Sequence, residues 1–84
     1  MASELAYPDF SEDLLKIARQ RMPFGKYAGH YLIDLPETYV SWFARNGFPE
    51  GEIGRLLSLL NEVHVNHLTS LLDPLRIPQM DEHQ

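Results

Sequence analysis

The stretch from Met22 to Tyr31 holds the residues of this sequence best suited to chemistry. Two glycines, Gly25 and Gly29, lie four positions apart, with a lysine and two tyrosines beside them. Glycines at such a spacing predict a turn that brings backbone groups, an amine and aromatic faces together. An amine next to aromatic rings is suited to a phosphate and an unpaired base, and each stacked base contributes about 1 to 3 kcal/mol. This pattern therefore favours a binding site over a catalytic one.

The candidate ligand-binding residues are three cations, two tyrosines and a histidine in or just before this stretch. They are Arg19, Arg21, Lys26, Tyr27, His30 and Tyr31. The cations would pair with phosphates, and the tyrosines or Trp42 would stack on an exposed base. The alternative is that the rings only fill a small core, with the lysine solvated at a turn.

The distribution of charge matters here, because a net charge of -5 opposes binding to nucleic acid. Residues 1 to 15 hold four acids and no base, whereas residues 16 to 33 hold four bases and no acid. Positive charge is therefore concentrated around the glycine-rich stretch. The alternative is an ordinary helix with an acidic first turn and a basic last turn, which complement its dipole.

Other chemistries are poorly supported. His64 and His67 lie on one predicted helical face and resemble two metal ligands, with Glu62 and His30 as further candidates, but a solvated face explains them better. No hydroxyl has the sequence context of a nucleophile elbow, and most acids lie at predicted helix starts or in the tails. We therefore predict no enzyme, no metal site and no cofactor.

Composition limits the class of protein. With 84 residues the chain is predicted to form one domain, and the absence of cysteine excludes disulfides and thiolate metal sites. The first residues do not resemble a secretory signal, and no apolar run approaches the roughly 18 residues that span a bilayer. These features predict a cytoplasmic protein with no membrane partner.

The predicted fold class is α+β and mostly helical: a helix, a short antiparallel β-hairpin, a second helix and a long C-terminal helix. The first helix begins at Asp9 or Ser11 and ends near Arg21, because Pro23 disfavours helix at the residue before it. The hairpin over residues 22–32 has Phe24 and Leu32 as its inward anchors.

The second predicted helix has Asp34 as its N-cap and ends at Asn46-Gly47. It carries Trp42, which we expect in the core. The long helix covers residues 50–72. The domain is predicted over residues 9–78, with flexible ends at 1–8 and 79–84.

Apolar residues occupy nearly every side of the predicted 50–72 helix. Either the helix is the central spine of the core, or part of it is buried against a second copy of the chain. Gly54 in its first half costs about 1 kcal/mol relative to alanine, which indicates close packing of another backbone there. The alternative is that Gly54 lies in a frayed first turn.

Four segments follow one another in this order: Met22-Pro23-Phe24-Gly25-Lys26-Tyr27-Ala28-Gly29, Leu32-Ile33-Asp34-Leu35-Pro36, Trp42-Phe43 and Gly47-Phe48-Pro49. Together they resemble a family of small bacterial proteins of unknown function. The family is described as putative quorum-sensing-regulated virulence factor. A similar motif resembles a segment appended to some proofreading-type exonucleases, and this implies an accessory role near nucleic acid. The resemblance implies no active site.

Two functions follow from these observations. The first is a small non-enzymatic accessory module that contacts nucleic acid, weakly, through Met22–Tyr31. The second is a protein-interaction module or homodimer that acts through the helix at 50–72.

Overall fold

The computed structural model describes residues 11–75. Within them the chain forms three α-helices, α1 (Ser11–Arg19), α2 (Glu37–Asn46) and α3 (Glu52–Val65). Short 3-10 turns lie at Leu32–Asp34, Thr69–Leu71 and Asp73–Leu75. The predicted flexible ends at 1–8 and 79–84, and a helix start at Asp9, lie outside the described residues.

The predicted α+β class is wrong, because residues 11–75 contain no β-strand. The predicted hairpin is replaced by a closed loop, residues 20–31, with one isolated antiparallel bridge between Arg21 and Tyr31. The loop is closed by two bonds, from Met22 N to His30 O and from Leu32 N to Gln20 O, of 2.7 and 2.9 Å.

The loop contains turns where the hairpin would need paired strands. Pro23 has no N–H to donate to a ladder, and Gly25 and Gly29 have φ of 81° and 90°. Bonds from Ala28 N to Gly25 O and from His30 N to Tyr27 O close two successive turns. Too few residues remain on either side of these turns for a ladder to extend.

The start of α2 differs from the prediction. Asp34 lies in a 3-10 turn, and the α-helix begins at Glu37 with Pro36 as its N-cap. A proline tolerates this position because the first N–H groups of a helix have no partner within it. The predicted end is confirmed, since Gly47 forms the C-cap and donates its N–H to Phe43 O.

The third helix is shorter than the predicted range of 50–72. It ends at Val65, after which His67 has a left-handed φ of 57°. Leu68 N donates to Val63 O and His67 N to His64 O, the pattern of a Schellman cap. Glycine usually occupies the left-handed position of this cap, so no clear stop signal is visible in the sequence before Asp73-Pro74.

The core is made by the inner faces of all three helices and the residues between them. Its most buried members include Ile17 and Met22 before the loop's turns, Leu32 after them, and Leu56, Leu57 and Leu60 on α3. Leu32 is therefore the inward anchor that the sequence predicted. Phe24 is not, because 42% of it is exposed.

Gly54 lies in the first turn of α3, close to the backbone of the preceding turn. A Cβ atom added to Gly54 would lie 1.6 Å from the carbonyl oxygen of Pro49. Backbone therefore does pack against Gly54, but it is the backbone of the turn that leads into the helix.

Candidate ligand-binding surface

Arg21 and Tyr31 form the centre of the candidate site. They face each other in the isolated bridge as a pair that does not exchange backbone hydrogen bonds, the arrangement that brings side chains closest. The Arg21 guanidinium lies 4.5 Å from the centroid of the Tyr31 ring and donates to its hydroxyl at 3.1 Å. It also donates to Gly29 O at 2.8 Å. This pair holds a planar cation on the loop surface.

Lys26 and Tyr27 form a second pair of a cation and a ring at the tip of the loop. The Lys26 ammonium lies 5.6 Å from the centroid of the half-buried Tyr27 ring. The edge of the exposed His30 ring meets Tyr27 at a centroid distance of 5.6 Å. Five of the six predicted site residues, those from Arg21 to Tyr31, therefore lie in one loop.

Arg19 is the sixth predicted site residue. It is exposed at the last position of α1, two residues before Arg21. No hydrogen bond, ion pair or ring contact joins Arg19 to the other five within residues 11–75. It contributes charge near the loop but is not part of either cation and ring pair.

A row of aromatic rings joins the loop to α2. Tyr39 contacts Tyr27 and Phe43 at centroid distances of 4.6 and 5.2 Å, and Trp42 contacts Phe43 at 5.2 Å. The Tyr39 hydroxyl also lies against Gly25, where a Cβ atom would approach it to 2.9 Å. An aromatic ring of α2 therefore reaches the glycine-rich stretch.

Trp42 and Phe24 were predicted in the core, and both predictions are wrong. Trp42 is 51% exposed and Phe24 is 42% exposed. On α2, Val40 and Phe43 lie three residues apart and already fill the side that faces the core. Trp42 projects to one side of them. Both large rings are therefore accessible for stacking.

Two groups of cations within residues 11–75 differ in their partners. Lys16 and Arg55 pair with the acids of α1 and α3: Lys16 Nζ bonds to Glu52 at 2.6 Å, and Arg55 bonds to Asp13 and Glu52. The hydrogen bond that Lys16 donates to Glu52 raises the pKa of Lys16, and the one that Arg55 donates to Asp13 raises the pKa of Arg55. Among residues 11–75, neither Arg21 nor Lys26 has a carboxylate partner. The positive charge of the loop is therefore not neutralised by these acids.

The histidines considered as metal ligands do not form a metal site in the described part of the chain. His64 is buried on α3, whereas His67 is exposed beyond the end of that helix. No group of three histidine, aspartate or glutamate side chains in residues 11–75 is arranged to hold a metal ion.

The fold and this surface define a small helical domain with an exposed loop of cations and aromatic rings. The chain belongs to the family described as putative quorum-sensing-regulated virulence factor, whose family model matches residues 10–75. The resemblance predicted from the glycine-rich stretch is thus confirmed.

Relatives include two proteins named uncharacterized protein YpeB, from Escherichia coli strain K12 and Escherichia coli O157:H7. Each is 48% identical over 68 residues, which cover 80% of this chain and 94% of the relative. No solved structure matches the chain. None of the helices in residues 11–75 is long and apolar enough to cross a bilayer.

Proposed function

We propose that this protein is a non-enzymatic binding module. It binds single-stranded nucleic acid through the 20–31 loop and the adjacent side of α2. The observation that carries the proposal is the pairing of exposed cations with aromatic rings in one loop, at Arg21 with Tyr31 and at Lys26 with Tyr27. Sequence-tolerant binding of single strands requires both kinds of group, because cations neutralise phosphates and rings stack on bases.

The exposed rings supply the stacking platforms. Trp42 and Phe24 each leave about half of their surface in water, and the T-shaped contact of Trp42 with Phe43 fixes its orientation. A fixed ring loses little conformational entropy when a base stacks on it. The Tyr27 and Tyr31 rings are half-buried and serve mainly to hold the cations in place.

The charge distribution supports weak and salt-dependent binding. Three cations in or next to the loop, Arg19, Arg21 and Lys26, have no acid partner within the described residues, whereas Lys16 is already paired with Glu52. Neutralising three phosphates of a single strand gives a slope of log affinity against log salt of about -2. The acidic remainder of the chain keeps affinity low, in the range of non-specific binding, about 10⁻⁴ to 10⁻⁶ M.

The test is the fluorescence anisotropy of a labelled oligothymidine of about 12 nucleotides, titrated with the protein at several salt concentrations. We expect Lys26→Gln to weaken binding and to reduce the salt slope by about 0.7. The matched control is Lys16→Gln, which removes the same charge from the Glu52 pair and leaves binding unchanged. Absence of binding by the folded protein at about 50 mM salt would reject the proposal.

A second candidate function is a protein-protein contact or homodimer through the C-terminal end of α3. Val65, Leu68 and Leu71 are 63%, 43% and 55% exposed. The observation favours the end of the helix over its middle, because Leu56, Leu57 and Leu60 are completely buried by the chain itself. A Leu68→Glu variant that changes the mass in solution would support this candidate.

A further inference from the structure

Arg21 is held more firmly than the other cations of the proposed binding surface. Its guanidinium lies over the Tyr31 ring, donates from Nη2 to the Tyr31 hydroxyl and donates from Nη1 to Gly29 O. Gly29 O is itself fixed, because Gly29 N donates to Met22 O at 2.8 Å inside the closed loop. These contacts together determine both the position and the plane of the guanidinium.

The guanidinium of Arg21 keeps donors for a ligand. An arginine side chain has five N–H groups, and the contacts within the loop use one on Nη1 and one on Nη2. Arg21 makes no other side-chain hydrogen bond within residues 11–75, and the residue is exposed. A planar group with parallel N–H donors suits a partner that presents two adjacent acceptor atoms.

Lys26 differs from Arg21 although it lies in the same loop. Its ammonium is 5.6 Å from the centroid of the Tyr27 ring and has no hydrogen bond within the described residues. An ammonium on a flexible stem can follow a phosphate and needs no fixed plane. Phosphate oxygens accept from many directions, whereas the acceptors on the edge of a base lie in the plane of its rings. A cation with a fixed plane, such as Arg21, is therefore better matched to a base edge.

Guanine is the base whose edge best matches a fixed pair of donors. Its O6 and N7 are both acceptors, and their pairing with arginine is the commonest specific contact of proteins with DNA bases. Adenine has an amino donor in place of O6, and thymine has a single acceptor, O4, on the corresponding edge. Unpaired cytosine also presents two adjacent acceptors, O2 and N3, and is the competing base.

We infer that Arg21 recognises a guanine of the bound single strand through O6 and N7, and that Tyr31 and Gly29 position its guanidinium. This assignment rests on the proposed function and adds to it a preference for one base. Elsewhere along the strand binding stays tolerant of sequence, because stacking on Trp42 or Phe24 needs only the face of a base. In oligothymidine, which lacks this edge, Arg21 pairs with a phosphate.

The experiment compares labelled strands of about 12 nucleotides by fluorescence anisotropy with the unaltered protein. One strand is oligothymidine, and the others carry guanine, 7-deazaguanine, adenine or cytosine at every third position, so that each register of binding offers the base. We expect guanine to raise the affinity over thymine by about fivefold or more, the lower end for a bidentate contact. 7-Deazaguanine keeps the size and stacking face of guanine but lacks the N7 acceptor, so it should lose most of this gain. Adenine should show no gain.

The outcomes separate this assignment from the proposed function. Equal gains for guanine and 7-deazaguanine would show that stacking causes the preference, and would overturn the role of Arg21. A gain as large for cytosine would overturn the assignment to guanine. Equal affinity for all strands would also overturn it, but would leave the proposed function in place. Absence of binding to every strand would reject the proposed function itself, and this assignment with it.

Variants test whether Arg21 causes the preference, measured as the ratio of the affinities for the guanine and thymine strands. Arg21→Lys keeps the charge but loses the planar donors, and should lower the ratio to about one. Tyr31→Phe keeps the ring but removes the hydroxyl that accepts from Nη2, and should also lower the ratio. Lys16→Gln, which changes a cation paired with Glu52, is the control and should preserve it. An unchanged ratio in Arg21→Lys would overturn the assignment.

Discussion

Trp42 is a large, half-exposed aromatic residue. Its contribution to binding can therefore be measured separately from its contribution to stability. Half of the ring lies in water and its main packing partner is Phe43. We expect Trp42→Ala to cost about 1 to 2 kcal/mol of unfolding free energy, from the aromatic pair and the buried half of the ring. Leu57→Ala, which empties a fully buried site, should cost about 2 to 5 kcal/mol.

Thermal unfolding of the two variants measures this difference. In the oligothymidine titration the order should reverse, so that Trp42→Ala loses affinity while Leu57→Ala, measured below its unfolding temperature, retains it. A Trp42→Ala variant as unstable as Leu57→Ala would contradict the exposed position of the ring.

His64 makes stability depend on pH. Its pKa in the folded chain is lowered by burial, against the opposing charge of Glu37. In the unfolded chain it returns to about 6.5. Below that value the unfolded state binds a proton that the folded state does not, so the unfolding free energy falls as pH decreases from about 7.5 to about 5.5.

Urea unfolding at a series of pH values tests this expectation. His64→Leu should flatten the dependence, whereas His67→Gln, at an exposed position, should preserve it. A pH dependence that is unchanged in His64→Leu would assign the effect to other groups.

At the level of elements, the close contact of Gly54 with Pro49 constrains the first turn of α3. Alanine is favoured over glycine in a helix by about 1 kcal/mol. However, its Cβ would lie 1.6 Å from Pro49 O, and backbone must move to admit it. Overpacking of this kind costs about 1 to 3 kcal/mol, so Gly54→Ala should destabilise the protein. Ser58→Ala on the same helix is the control, and a Gly54→Ala variant more stable than the parent would contradict the close contact with Pro49.

The sequence predicted these elements unevenly, for physical reasons. The three helices follow from apolar spacing and from Gly47, which are local signals. The hairpin was wrong because Pro23 and the two glycines favour turns more strongly than the flanking residues favour pairing. The end of α3 was missed because His67 takes a left-handed position where glycine is usual.

The candidate surfaces were likewise predictable only where they consist of residues close together in the sequence. The loop residues could be chosen from type and spacing, since they lie within one short stretch. The exposure of Trp42 and Phe24 could not, because large aromatic residues are usually buried and only the packing of the chain decides which are not. A cleft between α2 and α3 joins residues far apart in sequence. Among its lining residues, the sequence analysis singled out only His64 and His67, as metal ligands.

The self-association of the whole molecule stays a prediction, now restricted to a smaller surface. Stable interfaces bury about 1,200 to 2,000 Å² in total, which is more than three exposed side chains supply alone. A dimer through Val65, Leu68 and Leu71 would therefore need further contacts beyond them. Light scattering at micromolar concentration distinguishes a mass of 9.7 kDa from twice that value. A mass that stays at the monomer value on concentrating would exclude the second candidate function as a homodimer.

Salt should have different effects on the stability of the molecule and on its affinity for nucleic acid. The chain has 12 acids and 7 bases, which gives a net charge of -5. The excess negative charges repel one another in the folded state. Raising salt screens this repulsion, and it also weakens the exposed pairs of Lys16 and Arg55, which contribute only about 0 to 1 kcal/mol each. The unfolding free energy should therefore change little between about 50 and about 200 mM salt, or rise slightly.

Over the same range the affinity for oligothymidine should fall about tenfold or more, because counterions compete for its phosphates. Urea unfolding and anisotropy on the same samples measure both properties. A parallel fall in stability would mean that loss of binding reflects loss of fold, and the cations of the 20–31 loop would then have no demonstrated contact with phosphate.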